Sequence, residues 1–128
     1  MSVNRGLTLD AGALIAFERG EQRVREILRE ASDAGRGITV PATVVAEAWR
    51  GGRRRWLVDL LGVAVVEPLT DELARRAGEL LARTGTSHTV DATVAVSAAQ
   101  RGDIIVTADP DDMQLFADDL PAVRVLSL

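Results

Sequence analysis

The sequence predicts an α/β protein, a three-layer α/β/α sandwich around a central, mainly parallel sheet. Short apolar runs alternate along the chain with longer amphipathic stretches, the pattern of strand–helix–strand units. The run Ile104-Ile105-Val106 is apolar at every position, as a strand covered on both faces requires. No linker, low-complexity tract or repeat breaks the pattern, so residues 1–128 read as one domain.

Each element has its own signal. Leu7-Thr8-Leu9 reads as a strand ending at Asp10, and a brief helix through Leu14, Ile15 and Phe17 stops at Gly20. Residues 21–34 form a helix with Val24, Ile27, Leu28 and Ala31 on one face, closed by Gly35 and Gly37. Ile38-Thr39-Val40 is the next strand, and Pro41 suits the first turn of a helix carrying Val44, Val45, Glu47 and Ala48. Gly51-Gly52 breaks that helix, residues 53–61 make another, and residues 63–66 a strand. Thr70, followed by Asp71 and Glu72, caps a helix whose buried stripe is Leu73, Ala77, Leu80 and Leu81. Ser87 or Thr89 caps a helix over residues 90–101, which Gly102 closes. After strand 104–106, Asp109-Pro110 starts a helix toward Asp119, and Val123-Arg124-Val125 is the last strand.

Composition narrows the chemistry. There is no cysteine, which excludes disulfides, thiolate nucleophiles and cysteine-ligated metals. All 15 basic residues are arginine, so lysine-dependent phosphate loops and Schiff-base chemistry are excluded. The single histidine, His88, rules out an HExxH helix or any metal site with two histidines. Neither GxSxG nor GxGxxG occurs. Carboxylates with a hard metal ion survive this filter best. The net charge of −4 runs against phosphate binding, although two divalent ions held in an acidic pocket would cancel it.

In parallel sheets ligands sit beyond the carboxyl ends of the strands. Asp10 directly follows the first strand and Asp109 shortly follows Val106, while Glu47 and Asp91 lie on mostly apolar helices whose starts belong at the same edge. A carboxylate on such a face is costly to bury unless paired or metal-bound. Each also has a plain structural alternative: Asp10 and Asp109 as helix caps, Glu47 as a rim partner of Arg50, Asp91 as a first-turn acid. What these alternatives leave unexplained is the convergence of all four on one end of the sheet.

The ordered set strand-Asp10, helix-Glu47, helix-Asp91, then Thr107-Ala108-Asp109 with Asp112 resembles the PIN domain, in particular the VapC-type toxins of toxin–antitoxin pairs. The resemblance spans essentially the whole chain and is most specific in Val90-Asp91-Ala92-Thr93 and Ile104-Ile105-Val106-Thr107-Ala108-Asp109-Pro110-Asp111-Asp112. It implies that Asp10, Glu47, Asp91 and Asp109 bind one or two Mg²⁺ or Mn²⁺ ions, with Asp112 an accessory ligand through water and the Thr107 hydroxyl near the attacking water or scissile phosphate. Oxygen-only ligands suit these hard ions, which would acidify a water and stabilise charge at phosphorus. Asp10 or Asp109 would take the proton. It further implies an RNA substrate, a cognate antitoxin and a homodimer. In one departure, Ala11-Gly12 stands where many relatives place a hydroxyl residue after the first Asp. Another class of function keeps the fold as a catalytically silent module acting through protein partners.

Arg50, Arg53, Arg54 and Arg55, flanked by Trp49 and Trp56, form the strongest basic cluster. It reads either as phosphate and base contacts or as a solvated turn with the tryptophans packed inward or at a dimer contact. The resemblance favours contact with the antitoxin or a second copy. His88 reads as exposed or cap-adjacent, with an outer-shell role beside Asp91 as the alternative. Asp118 and Asp119 read as solvated helix-end charges. Arg101-Gly102-Asp103 is explained by a helix-closing glycine rather than as an adhesion motif. With no signal-peptide core after Met1 and no membrane-length apolar run, the expected location is the cytoplasm.

Overall fold

The computed structural model describes residues 5–52 and 54–128, so residues 1–4 and Arg53 of the basic cluster lie outside the described residues. Strand β1 (Leu7–Leu9) is buried at all three positions and passes through Asp10 into α1 (Ala11–Glu18). Helix α2 (Gln22–Asp33) buries Val24, Leu28 and Ala31, three members of its predicted stripe. Pro41 ends β2 (Ile38–Pro41) and is the N-cap of α3 (Ala42–Ala48), one position before the first turn expected for it.

The next two elements lie about two residues later than the sequence suggested: α4 is Arg55–Val63 and β3 is Val65–Glu67. Register explains the shift. Val65, Val66 and Glu67 stand opposite Thr39, Val40 and Pro41 of β2, which leaves Val63 as the exposed end of the helix. Gly62 is carried in that last turn without breaking it.

Helix α5 (Asp71–Thr84) starts as expected, with the Thr70 hydroxyl accepting the Leu73 N–H at 3.1 Å. Helix α6 (Thr89–Arg101) does not. His88 is its N-cap and no side chain caps it; the Thr89 hydroxyl turns to the Ser87 carbonyl at 3.4 Å. Gly102 closes α6 at φ +70°, a conformation that favours glycine. Strand β4 (Ile104–Thr107), α7 (Pro110–Ala117) and β5 (Arg124–Ser127) complete the chain, the last strand beginning one residue later than predicted.

The five strands are all parallel, in the order β3-β2-β1-β4-β5. Helices α5, α6 and α7 pack together on one face of the sheet, and α1, α2 and α4 on the other, which gives three layers. Core side chains fill both interfaces, among them Leu9, Leu14, Val24, Leu80, Val94, Ile105 and Phe116. Helix α3 follows β2 at the carboxyl edge and touches both α1 and α6. Among the described residues no helix is long and apolar enough to cross a membrane.

Candidate active site

From β1 the chain winds outward to β2 and β3, then returns across the sheet to β4 and on to β5. The direction of winding therefore switches between β1 and β4, and a crevice opens beyond their carboxyl ends. Leu9 stands opposite Val106, and the Asp10 N–H donates to the Val106 carbonyl at 3.3 Å. Asp10 and the Thr107-Ala108-Asp109 segment thus leave the sheet side by side. Strand alternation puts Asp10 on the face of Thr8, which is the face of α6, because the Thr8 hydroxyl accepts from Arg101 Nη2 at 3.0 Å.

Gly12 makes this closeness possible. A Cβ built there would stand 2.8 Å from Ala108 Cβ and 3.4 Å from Asp10 Oδ1. Of the Ala11-Gly12 pair noted in the sequence, the glycine is therefore a steric requirement, since any side chain at position 12 would push the β4–α7 turn away from Asp10.

Asp10 is 5% exposed, and its Oδ1 accepts the Ala13 N–H at 2.8 Å. It therefore caps α1 and floors the crevice at once. Burial raises its pKa, the Thr107 hydroxyl and the Ala13 N–H pull it back, and the charges of Asp109 and Glu47 raise it again. Thr107 is fully buried and accepts the Asp109 N–H at 2.8 Å, so its own proton stays available to a neighbour. The exposed Asp109 is the N-cap of α7 but makes no side-chain cap bond, so capping does not account for it. Its pKa is raised, first by a hydrogen bond with Asp112 and then by partial desolvation and the charges of Asp112 and Asp111.

Asp91 sits half-buried in the first turn of α6, above the fully buried Val94, Ala95 and Ala98. Burial raises its pKa first, the charge of Asp10 adds to this, His88 opposes it, and Asp109 and Asp112 add again. His88, Asp91 and Asp112 each present one ligand atom within 4.8 Å of the others. Glu47 lies in the last turn of α3, is exposed, and lines a cavity of about 220 Å³ with Ser87, His88, Thr89, Val90 and Asp91. Its rim-pair alternative with Arg50 is not what forms: Arg50 donates to the carbonyls of Ala46 and Trp49 at 3.1 and 2.8 Å.

The predicted carboxylates therefore meet, but unequally. Asp91 and Asp112 stand at ligand distance, with His88 as the third member that composition alone did not single out. The charges of Glu47 and Asp109 act on Asp10, and those of Asp10, Asp109 and Asp112 act on Asp91. Acids whose charges crowd together at Asp10 and Asp91 form a donor set suited to a hard divalent cation, whose charge would relieve their repulsion.

The basic cluster has a different character. Arg54 grips Glu18 of α1 with two guanidinium nitrogens and donates to the Ala48 carbonyl at 2.6 Å. It is a structural cation joining α1, α3 and α4. Arg55 is exposed, 4.0 Å from Asp59, and the half-exposed Trp56 lies under Arg25, whose Cζ is 4.4 Å from the ring centroid. Sequence reasoning also missed a polar network behind the crevice. Arg101 binds Glu67, Asp103, Thr8 and Ser97, and Asp103 is only 3% exposed.

Fold and site together define a three-layer α/β protein with a carboxylate crevice at the switch point of a parallel sheet. The chain belongs to the PIN-domain family: the model of that family, the PIN domain, matches residues 7–118. The chain is 33% identical over 113 residues to a protein named Ribonuclease VapC10 from Mycobacterium tuberculosis, which covers 85% of this chain and 79% of the relative. A chain in the crystal structure of VapBC2 from Rickettsia felis, bound to a DNA fragment from their promoter, superposes with a TM-score of 0.71 at 15% identity, covering 95% of this chain and 98% of that one. A chain in the structure of DNA-bound VapBC from Salmonella typhimurium does so at 0.63 and 19%, covering 96% and 98%. At such identities the structural likeness speaks to the fold.

Proposed function

We propose that this chain is a Mg²⁺- or Mn²⁺-dependent endoribonuclease that hydrolyses RNA phosphodiester bonds and serves as the toxin of a toxin–antitoxin pair. One observation carries the reading: carboxylates from separate segments, Asp10, Glu47, Asp91, Asp109 and Asp112, converge at the carboxyl edge of the sheet where the strand order switches. The relative named a ribonuclease supports the reaction class, and the solved structures named VapBC support a partner antitoxin.

In this reading Asp91 and Asp112 hold the ion, with Asp10, Glu47 and Asp109 completing its surroundings directly or through water. A bound divalent ion would supply an acidified water and neutralise charge at the phosphate undergoing attack. Asp10, at the floor of the crevice, or Asp109 beside it, would accept the water's proton. The buried Thr107 accepts the Asp109 N–H and offers its own proton to the Asp10 carboxylate, so it would orient that carboxylate at the ion's edge. Gly12 keeps these groups close. RNA enters over the open side, where Glu47, His88 and Asp109 are exposed. A second copy of the chain and an antitoxin are the proposed protein partners.

The test is cleavage of a mixed RNA pool with Mg²⁺ or Mn²⁺, wild type against Asp91→Asn. Cutting lost in the variant supports the nuclease. Equal cutting by both overturns it, and no cutting by folded, partner-free protein favours the silent module.

A further inference from the structure

We propose that His88 is a direct ligand of the metal pocket, and that with Asp91 and Asp112 it gives the pocket a preference for a first-row transition ion over Mg²⁺. The inference rests on the carboxylate-pocket reading above and adds a nitrogen donor to what the sequence presents as an all-oxygen site.

The position of the side chain supports this. His88 is the N-cap of α6 and Asp91 lies three residues on, so one helix end fixes both backbones. The imidazole is exposed, forms no cap bond, and makes no hydrogen bond among the described residues. Asp112 approaches from the first turn of α7, a separate element. The three ligand atoms lie within 4.8 Å of one another. Donors on one ion at ~2.1 Å are about 4.2 Å apart when opposite and about 3.0 Å when adjacent, so side-chain rotations that draw the three atoms together would place them on a single ion.

The donor chemistry then decides which ion. Mg²⁺ binds oxygen and gives up its waters reluctantly, whereas imidazole is a good ligand for later first-row ions. Two carboxylates and one imidazole make a mixed set that still holds Mg²⁺ through the acids but gains for a transition ion through nitrogen. The ion would stand at the mouth of the crevice, beside the exposed His88, with Asp10 at the floor.

The chain has one histidine, so nitrogen coupling from an imidazole has one source in the untagged protein. The experiment adds Mn²⁺ to untagged wild type and His88→Gln and records electron spin echo modulation from ¹⁴N, with Mg²⁺ competition giving the ratio of affinities. Wild type is expected to show imidazole modulation and the variant none. The variant's affinity for Mn²⁺ should fall by about tenfold or more, and that for Mg²⁺ by less, since even outer-shell partners are worth that much affinity at metal sites. Matching thermal melts of the metal-free proteins confirm that the exposed substitution leaves the fold intact. Wild type lacking the modulation, modulation persisting in the variant, or equal ion preference in both would overturn the proposal. Mn²⁺ coupled to His88 in a protein that cuts no RNA would sink the nuclease reading and uphold this one. RNA cutting by a protein whose Mn²⁺ shows no nitrogen coupling would do the reverse.

Discussion

The hydroxyl oxygens of Thr43 and Thr93 stand 2.7 Å apart, joining α3 to α6. Thr93 donates its proton to the Val90 carbonyl at 2.6 Å, so Thr43 must be the donor to Thr93. Thr43 precedes Glu47 by one helical turn and Thr93 follows Asp91 by two residues, so this contact sets the spacing of two candidate metal-site acids. Thr93 is 2% exposed.

Replacing Thr93 with valine keeps its shape and removes both bonds. The variant should lose about 1–2 kcal/mol of stability and bind Mn²⁺ more weakly, whereas Thr93→Ser should restore the ion affinity. Urea denaturation and Mn²⁺ titration check this. Unchanged ion affinity in the valine variant would show that the pair braces the fold without setting the site.

Gly12→Ala should destabilise the protein by about 1–2 kcal/mol despite alanine's better helix propensity, because its Cβ would stand 2.8 Å from Ala108 Cβ. The double variant Gly12→Ala, Ala108→Gly should recover most of that loss. A double-mutant cycle in urea measures the coupling, and additive effects would contradict the contact.

The raised pKa values of Asp10 and Asp91 carry a sign for stability. The folded chain holds these protons more tightly than the unfolded chain. Their contribution is therefore full below the ordinary value of 3.8 and is lost as pH rises through the raised folded values. At neutral pH, in chelator, Asp10→Asn should be more stable than wild type by about 1 kcal/mol, since asparagine retains the cap to Ala13 without the buried charge. Urea midpoints across pH should show this advantage shrinking toward acid, and saturating Mn²⁺ should reverse it. A variant no more stable than wild type at neutral pH would contradict the assigned cause.

Behind the crevice, Arg101→Ala would leave Asp103 buried without its 2.8 Å partner. A loss of about 3 kcal/mol is expected, reduced somewhat because the arginine side chain is 30% exposed. Thermal denaturation checks it, and a loss under about 1 kcal/mol would mean that water replaces the arginine.

Much of this was legible in the sequence wherever a local signal and a tertiary demand agree. The apolar runs mark the strands, Thr70 and Gly102 mark helix ends, and Asp10 and Asp109 stand where strands end. What escaped depends on distant partners. The valines from 63 to 66 are interchangeable locally, and only pairing with β2 selects Val65 and Val66. Ser87 and Thr89 carry the right hydroxyls, yet the turn before α6 presents His88 at the cap. Gly12 looks like an ordinary helix glycine until Ala108, nearly a hundred residues away, is packed against it. Glu67 ends an edge strand and reveals its role only when Arg101 arrives from α6.

The most direct test of the central claim is the rate of RNA cleavage against free Mg²⁺ or Mn²⁺, begun in chelator, for wild type and Asp91→Asn. The account predicts no cutting in chelator, saturable recovery as ion is restored to wild type, and a rate at least about 100-fold lower in the variant, the upper end of what losing an outer-shell partner costs a metal site. Cutting that persists in chelator, or an Asp91→Asn variant as fast as wild type, would contradict it.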